Sequence, residues 1–197
     1  LQDLPLIGSR CTVCALPLAN AVTCGDCLKN PKPYQRTLCA LRYENPVNYL
    51  INRFKNHTQW QIGDFLCDQW LKQNAEAAVG SVDSVIVAIP SHPKQSAKRG
   101  FTPSVYIAEN FSKRLGIPIV PLLKARYEAT PQKSLNRQQR LGNLKDVFEA
   151  QPFPGKKVIL VDDVVTSCAT TIAASHALAR VGVESIEIWA LARTPFD

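Results

Sequence analysis

Apolar and polar positions along the 197 residues follow two alternating rhythms. Short, nearly continuous apolar runs lie at 36–43 (RTLCALRY), 84–89 (SVIVAI), 117–122, 158–161 (VILV) and 183–190. Their length and β-branched content predict strands, the nearly unbroken ones buried on both faces. Between them apolar residues recur at helical spacing over 47–56, 61–74, 103–115 and 170–181. In the second of these segments Ile62, Phe65, Leu66 and Trp70 fall on one side, and in the third Ile107, Ala108, Phe111 and Leu115 do. The punctuation agrees. Thr102-Pro103 reads as an N-cap followed by proline at the first helical position, and Gly116 with Pro118 closes that helix. Gly182 ends the last helix. Residues 123–143 are polar and basic with no sustained apolar period, which predicts a loop followed by a short helix. Strands alternating with helices predict an α/β fold with a parallel sheet flanked by helices. No internal repeat or low-complexity segment is present.

The first 35 residues stand apart from this rhythm. They hold four of the seven cysteines, as Cys11-x2-Cys14 and Cys24-x2-Cys27 with nine residues between the pairs. Two such knuckles let four thiolates converge on one ion, the pattern of a structural Zn²⁺ site. Gly25 is expected to serve the second turn. A segment this short and proline-rich builds little core by itself, so a metal would supply its folding energy. Two disulfides are the competing reading and require an oxidising compartment. The expected division is therefore a small four-cysteine zinc-binding module at 1–35 and an α/β domain at 36–197. Cys39 and Cys67 sit in apolar settings and read as buried core thiols.

Composition narrows the class. Hydrophobic residues make up 46% and charged residues 20%, the proportions of a folded domain. No apolar run approaches the length of a membrane span, so no membrane insertion is expected. The start shows no basic region followed by an apolar one, which points to a cytoplasmic protein. Met is absent, so residues are expected to precede Leu1. The net charge of +7 is concentrated: between 91 and 145 eleven basic residues face only Glu109 and Glu128, an excess of +9. Such an excess points to a phosphorylated small molecule, to nucleic acid or to both, with a solvated basic face as the plain alternative.

The stretch VILVDDVVTSCATT, 158–171, carries the most chemistry. An apolar strand delivers two adjacent acids, Asp162 and Asp163, to its C-terminal end, where open α/β sheets bind ligands. A loop with Thr166, Ser167, Thr170 and Thr171 then opens into a helix, whose positive end and free amides suit a phosphate. The acids suit ribose hydroxyls or a hydrated Mg²⁺, which usually takes one or two carboxylates. Together these features describe a pocket for a ribose 5-phosphate group. Neither a Walker loop nor a dinucleotide-binding glycine pattern is present.

This segment resembles the phosphoribosyl pyrophosphate motif of type I phosphoribosyltransferases. The wider chain resembles the ComF family of competence proteins (ComFC/GntX-like), which joins such a domain to an N-terminal zinc module. The likeness runs through the Cys knuckles, Phe54-Lys55, IPSHPKQSAKRGFTPS at 89–104, RYEATPQKSLNRQQRLGNLKDVF at 126–148, the acidic motif at 162–171 and WALART at 189–194. It implies a type I phosphoribosyltransferase-like fold and a role in DNA uptake and natural transformation. It further implies binding of phosphoribosyl pyrophosphate with Mg²⁺, of single-stranded DNA through basic segment 91–145, or of both, and contacts with DNA-uptake machinery proteins. The alternative it implies is a working transferase that releases pyrophosphate. Asp162 and Asp163 would face the ribose hydroxyls; Thr166, Ser167, Cys168, Ala169 and Thr170 would surround the 5′-phosphate. His92, Arg99 and Gly100, in the turn after the 84–90 strand, would lie toward the pyrophosphate, and 124–140 would be a mobile flap.

Cys168 departs from the family pattern, standing where glycine is usual. If that position needs a positive φ, its Cβ costs about 1 kcal/mol or more and puts phosphate binding and turnover in question. A reactive role for Cys168 is a lesser alternative, because no partnering base is visible. His57 and His176 read as exposed surface residues, and Trp60, Trp70 and Trp189 as core or interface rather than base-stacking platforms.

Overall fold

The computed structural model describes residues 4–20, 22–79, 83–126 and 147–195. In chain order these form α1 (Gly25–Lys29), β1 (Arg36–Arg42), α2 (Val47–His57), α3 (Trp60–Val79), β2 (Val85–Ala88), α4 (Pro93–Arg99), α5 (Pro103–Leu115), β3 (Leu123–Ala125), β4 (Phe148–Ala150), β5 (Lys157–Val165), α6 (Ala169–Ala179) and β6 (Ser185–Arg193).

Four strands form a parallel sheet in the order β1-β6-β5-β2, as the strand–helix alternation predicts. Successive side chains on a strand point to opposite faces, and the burial of β5 and β6 follows that rule on both sides. Val158, Leu160, Ile186, Ile188 and Ala190 face one layer, which contains Ala173, Ala174, Ala177 and Leu178 of α6. Ile159, Val161, Trp189 and Leu191 face the other, which contains Ile51 and Phe54 of α2, Leu66 and Trp70 of α3, and Ile107 and Phe111 of α5. With apolar partners on both faces, these strands need no polar alternation, hence their unbroken apolar runs. Trp70, Phe111 and Trp189 meet at the centre of the second layer, with ring centroids 4.4 to 5.8 Å apart. Cys39 and Cys67 are buried, as expected.

Several expectations are corrected. The run at 117–122 makes only a single parallel bridge, Ile119 to Ile86, because Pro118 and Pro121 have no amide to donate to a ladder. Residues 123–125 are a strand, paired antiparallel with 148–150 across the intervening segment, and the expected helix and most of the flap lie outside the described residues. The turn at 91–100 contains a helix, α4, started by His92 and Pro93. Thr102 is the N-cap of α5 by position, but its hydroxyl meets Ser96 Oγ at 3.0 Å instead of a helix amide. Trp60 is 39% exposed and sits at the surface, unlike Trp70 and Trp189. Among the described residues no helix is long and apolar enough to cross a membrane.

Candidate functional site

The four N-terminal cysteines converge. Their sulfur atoms lie within 4.8 Å of one another, and all four side chains are buried. Cys14 Sγ and Cys24 Sγ are 3.7 Å apart, close to the ~3.8 Å expected for two thiolates at ~2.3 Å from one tetrahedral ion. Cys11 Sγ accepts from the amides of Cys14 at 3.5 Å and Cys24 at 3.3 Å. Burial works against the Cys11 thiolate, but these amides prevail and bring its pKa down to about 7. The turn after the first pair uses Ala15 in the left-handed region, at φ 55°. Gly25 is the first residue of α1 and has no positive φ, so the expected need for glycine there is corrected. This set of soft, buried sulfur donors fits a metal ion such as zinc, and all four positions of a tetrahedron are filled by the protein.

The second cluster lies at the C-terminal ends of the parallel strands. β5 continues through both acids before the loop at 166–168 leads into α6. Alternation sends the two carboxylates to different sides of the sheet. Asp163 follows Ile159 and Val161 toward α2, where Lys55 Nζ lies 2.7 Å from its Oδ2, with both side chains mostly buried. Asp162 Oδ1 accepts from the Asp163 amide at 2.9 Å. Desolvation and then the charge of Asp163 raise the Asp162 pKa from the ordinary carboxylate range to about 7. A carboxylate at this strand end could hold a hydrated Mg²⁺, which usually takes one or two carboxylates.

Cys168 is the N-cap of α6 with φ 64° and ψ 1°, a conformation that favours glycine. Its side chain turns inward and is buried, leaving Thr166, Ser167 and Thr170 exposed on the outside of the loop, with Ala169 half-buried. The thiol therefore does not fill the space beside the loop hydroxyls. Contact with the Cys14 side chain lowers the Cys168 pKa to about 7, and the charge of Arg193 acts in the same direction. Thr171 faces inward too, its hydroxyl donating to Cys168 O at 2.9 Å, so the loop presents fewer free hydroxyls than its sequence implies. The first amides of α6, including Ala169 N at 3.4 Å from Ser167 Oγ, remain at the helix start where an anion is favoured.

β2 brings the 89–92 turn beside β5: Ala88 is opposite Val161, and Ile89 N donates to Val161 O at 2.9 Å. His92 is exposed and its Nδ1 accepts from Lys94 N at 3.1 Å, so it caps α4. Arg99 and Gly100 lie at the far end of α4, and Gly100 is its left-handed C-cap.

Two residues to which sequence reading assigned no role hold the site together. One is Lys55, visible beforehand only as part of the Phe54-Lys55 pair. The other is Arg193, with no exposed surface. Its Nε donates to Cys14 O in the knuckle at 2.9 Å. Nη1 donates to Val165 O at 3.1 Å, Thr194 O at 2.8 Å and Thr166 O, while Nη2 reaches Cys168 Sγ at 3.8 Å. A single guanidinium thus fastens the cysteine knuckle to the loop after β5. An arginine at the end of an apolar strand was the available signal.

A parallel sheet ending in an acid pair and a hydroxyl loop defines a phosphoribosyltransferase-like domain, and a phosphoribosyl transferase domain profile matches residues 101–196. The chain is 30% identical over 192 residues to the DNA utilization protein YhgH of Salmonella typhimurium, covering 94% of this chain and 85% of that protein. It is 30% identical over 183 residues to Competence protein F of Haemophilus influenzae, covering 86% and 78%. Competence protein ComFC of Streptococcus pneumoniae is 31% identical over 109 residues, 54% of this chain and 47% of its own. The chain belongs to the ComF family of competence and DNA utilization proteins.

Proposed function

We propose that this protein is a cytoplasmic competence factor that handles incoming single-stranded DNA and binds phosphoribosyl pyrophosphate with Mg²⁺. The observation that carries the ligand half is the assembly at the end of β5: Asp162 and Asp163, Lys55 on Asp163, and exposed Thr166, Ser167 and Thr170 before α6. The hydroxyls and the first amides of α6 receive the 5′-phosphate. The acids hold the ribose hydroxyls, and a bound Mg²⁺ supplies neutralisation of the pyrophosphate charge. Lys55, in ion-pair contact with Asp163, orients its carboxylate. Four thiols able to take up zinc belong with a reducing compartment, which supports the cytoplasmic placement. Family membership and the +9 segment support the DNA half and contacts with uptake machinery. A division into a zinc module at 1–35 and a phosphoribosyltransferase-like domain at 36–197 is part of the same reading. The two would share one apolar cluster, in which Ile7, Cys11 and Leu16 join Leu160 and Ile188.

Titration calorimetry with phosphoribosyl pyrophosphate and Mg²⁺ tests the ligand half. Micromolar binding, ~−8 kcal/mol, is expected for the wild type and is lost in Asp162→Ala/Asp163→Ala. No heat, together with no thermal stabilisation, refutes it. The retained acid pair supports a second reading, a working transferase; pyrophosphate release on addition of nitrogen nucleophiles separates it from simple binding.

A further inference from the structure

Most aromatic side chains of the described chain serve the core, but a few break the surface together. Tyr49 on α2 is 57% exposed. The Arg53 guanidinium carbon lies 5.8 Å from the Tyr49 ring centroid, and Arg53 Nη1 is 3.4 Å from the Tyr49 hydroxyl. Arg53 Nε donates to Gln59 Oε1 at 3.2 Å, holding the guanidinium next to the start of α3. There Trp60 stacks on Tyr106 with centroids 5.0 Å apart and planes 27° apart, and meets Phe101 edge-on at 4.6 Å. Phe101 directly follows the C-cap of α4, which carries exposed Lys94 and Lys98. Aromatic rings and cations therefore follow one another from Tyr49 and Arg53 to Trp60 and Phe101, with α4 immediately before Phe101 in the chain.

The charge is one-sided. Neither α2 nor α4 contains an acidic residue. Asp64, next to the path on α3, is engaged by the Tyr106 hydroxyl at 2.7 Å and by Asn110 Nδ2 at 2.8 Å. Exposed Asn52, Asn56 and His57 extend the polar side of α2. The rings are held firmly: Trp60 by two aromatic neighbours, Tyr49 by the Arg53 contacts. Pre-positioned rings beside exposed cations suit a flexible polyanion whose bases are free to stack, since every base has a π-face and every nucleotide a phosphate. A duplex offers its phosphates but not its base faces. This selects the single strand.

We infer that the path from Tyr49 through Trp60 to α4 is the single-stranded DNA surface of this protein, with bases stacking on Tyr49 and Trp60 and phosphates meeting Arg53, Lys94 and Lys98. The inference rests on the DNA half of the proposed function and assigns it a place. α2 also sends Lys55 to Asp163, so the strand runs along the helix that borders the phosphoribosyl site.

The test is binding of a labelled oligothymidylate of ~16 nucleotides to the full chain, read by anisotropy and by tryptophan fluorescence. Trp70 and Trp189 are fully buried, so quenching on titration reports Trp60 without any substitution. Tyr49→Ala and Trp60→Ala are each expected to weaken binding roughly 5- to 150-fold. Lys94→Gln/Lys98→Gln is expected to flatten the log K against log salt slope by about 1.4. Tyr49, Lys94 and Lys98 are exposed, so those variants keep the test informative if Trp60→Ala misfolds. Wild-type binding with no quenching, and with affinity unchanged in the Tyr49 and lysine variants, places the DNA elsewhere and overturns this inference alone. No binding by the wild type at low salt overturns the DNA half of the proposed function with it.

Discussion

Replacing Arg193 by methionine keeps most of the apolar stem and removes every donor of the guanidinium. Four carbonyls, of Cys14, Val165, Thr166 and Thr194, then lose a charged partner that itself has no exposed surface. A hydrogen bond to a charged group contributes about 1.5–3 kcal/mol. Four on one side chain do not add, because their geometry is shared. Breaking a buried charged network of this kind costs about 3–5 kcal/mol, which for a chain of this size is a midpoint shift of roughly 6–20 °C. The loss should fall unevenly. Arg193 lies beside the knuckle, and a divalent ion held by four thiolates has a formal charge of about −2, which the guanidinium offsets. Arg193→Met is therefore expected to release its metal to a chelator faster than the wild type. It should also release it faster than an equally destabilised variant on the opposite sheet face, such as Phe111→Leu. Denaturant unfolding of the metal-loaded protein under reducing conditions measures the first effect, and metal release to a chromogenic chelator the second. Arg193→Lys, which keeps the charge but not the fork, should recover part of the stability. If Arg193→Met unfolds within ~0.5 kcal/mol of the wild type, the level of an ordinary surface change, the guanidinium does not join knuckle to loop and the reasoning fails.

Four further outcomes are expected. Lys55→Met and Asp163→Asn should each destabilise the fold, and their double-mutant cycle should show a coupling of ~1–3 kcal/mol; additive effects would mean that the 2.7 Å pair contributes nothing. Asp162 has a folded-state pKa raised to about 7 by burial and Asp163, so its contribution is fully present below the unfolded value of about 4 and is lost as pH rises toward 7. Unfolding at pH ~4.5 and ~7.5 should show that loss in the wild type and a smaller one in Asp162→Asn. Cys168→Gly should be more stable than Cys168→Ala by ~1 kcal/mol, the reverse of the usual order, because φ is 64°; an Ala variant at least as stable would show that the loop relaxes freely. Metal analysis should find one ion per chain, lost on Cys27→Ser with a fall in melting midpoint, and an unchanged midpoint after chelation would show that residues 11–27 fold without it.

The apolar rhythm alone specified the parallel α/β sheet, because strands covered on both faces must be apolar throughout and the helices over them must be striped. The Cys11–Cys27 spacing and the Asp162–Asp163 pair before a hydroxyl loop were equally readable, since each group is local and short-range geometry brings its members together. What lay beyond local reading has a common cause. Lys55 and Asp163 are far apart in sequence, and only the packing of α2 on the sheet makes them an ion pair. Arg193 reads as the last polar residue of a strand until β6 ends beside Cys14 and the loop at 166–168. The inward turn of Cys168 depends on its contacts with Cys14 of the knuckle and Arg193, which no neighbouring residue announces. The helix at 93–99 was hidden in a stretch that supplies no apolar stripe to the core. Trp60 is surface rather than core because Phe101 and Tyr106 cover only part of its ring. Periodicity records which residues avoid water, whereas a site is made by residues that meet, and meeting across the sheet is decided by tertiary packing.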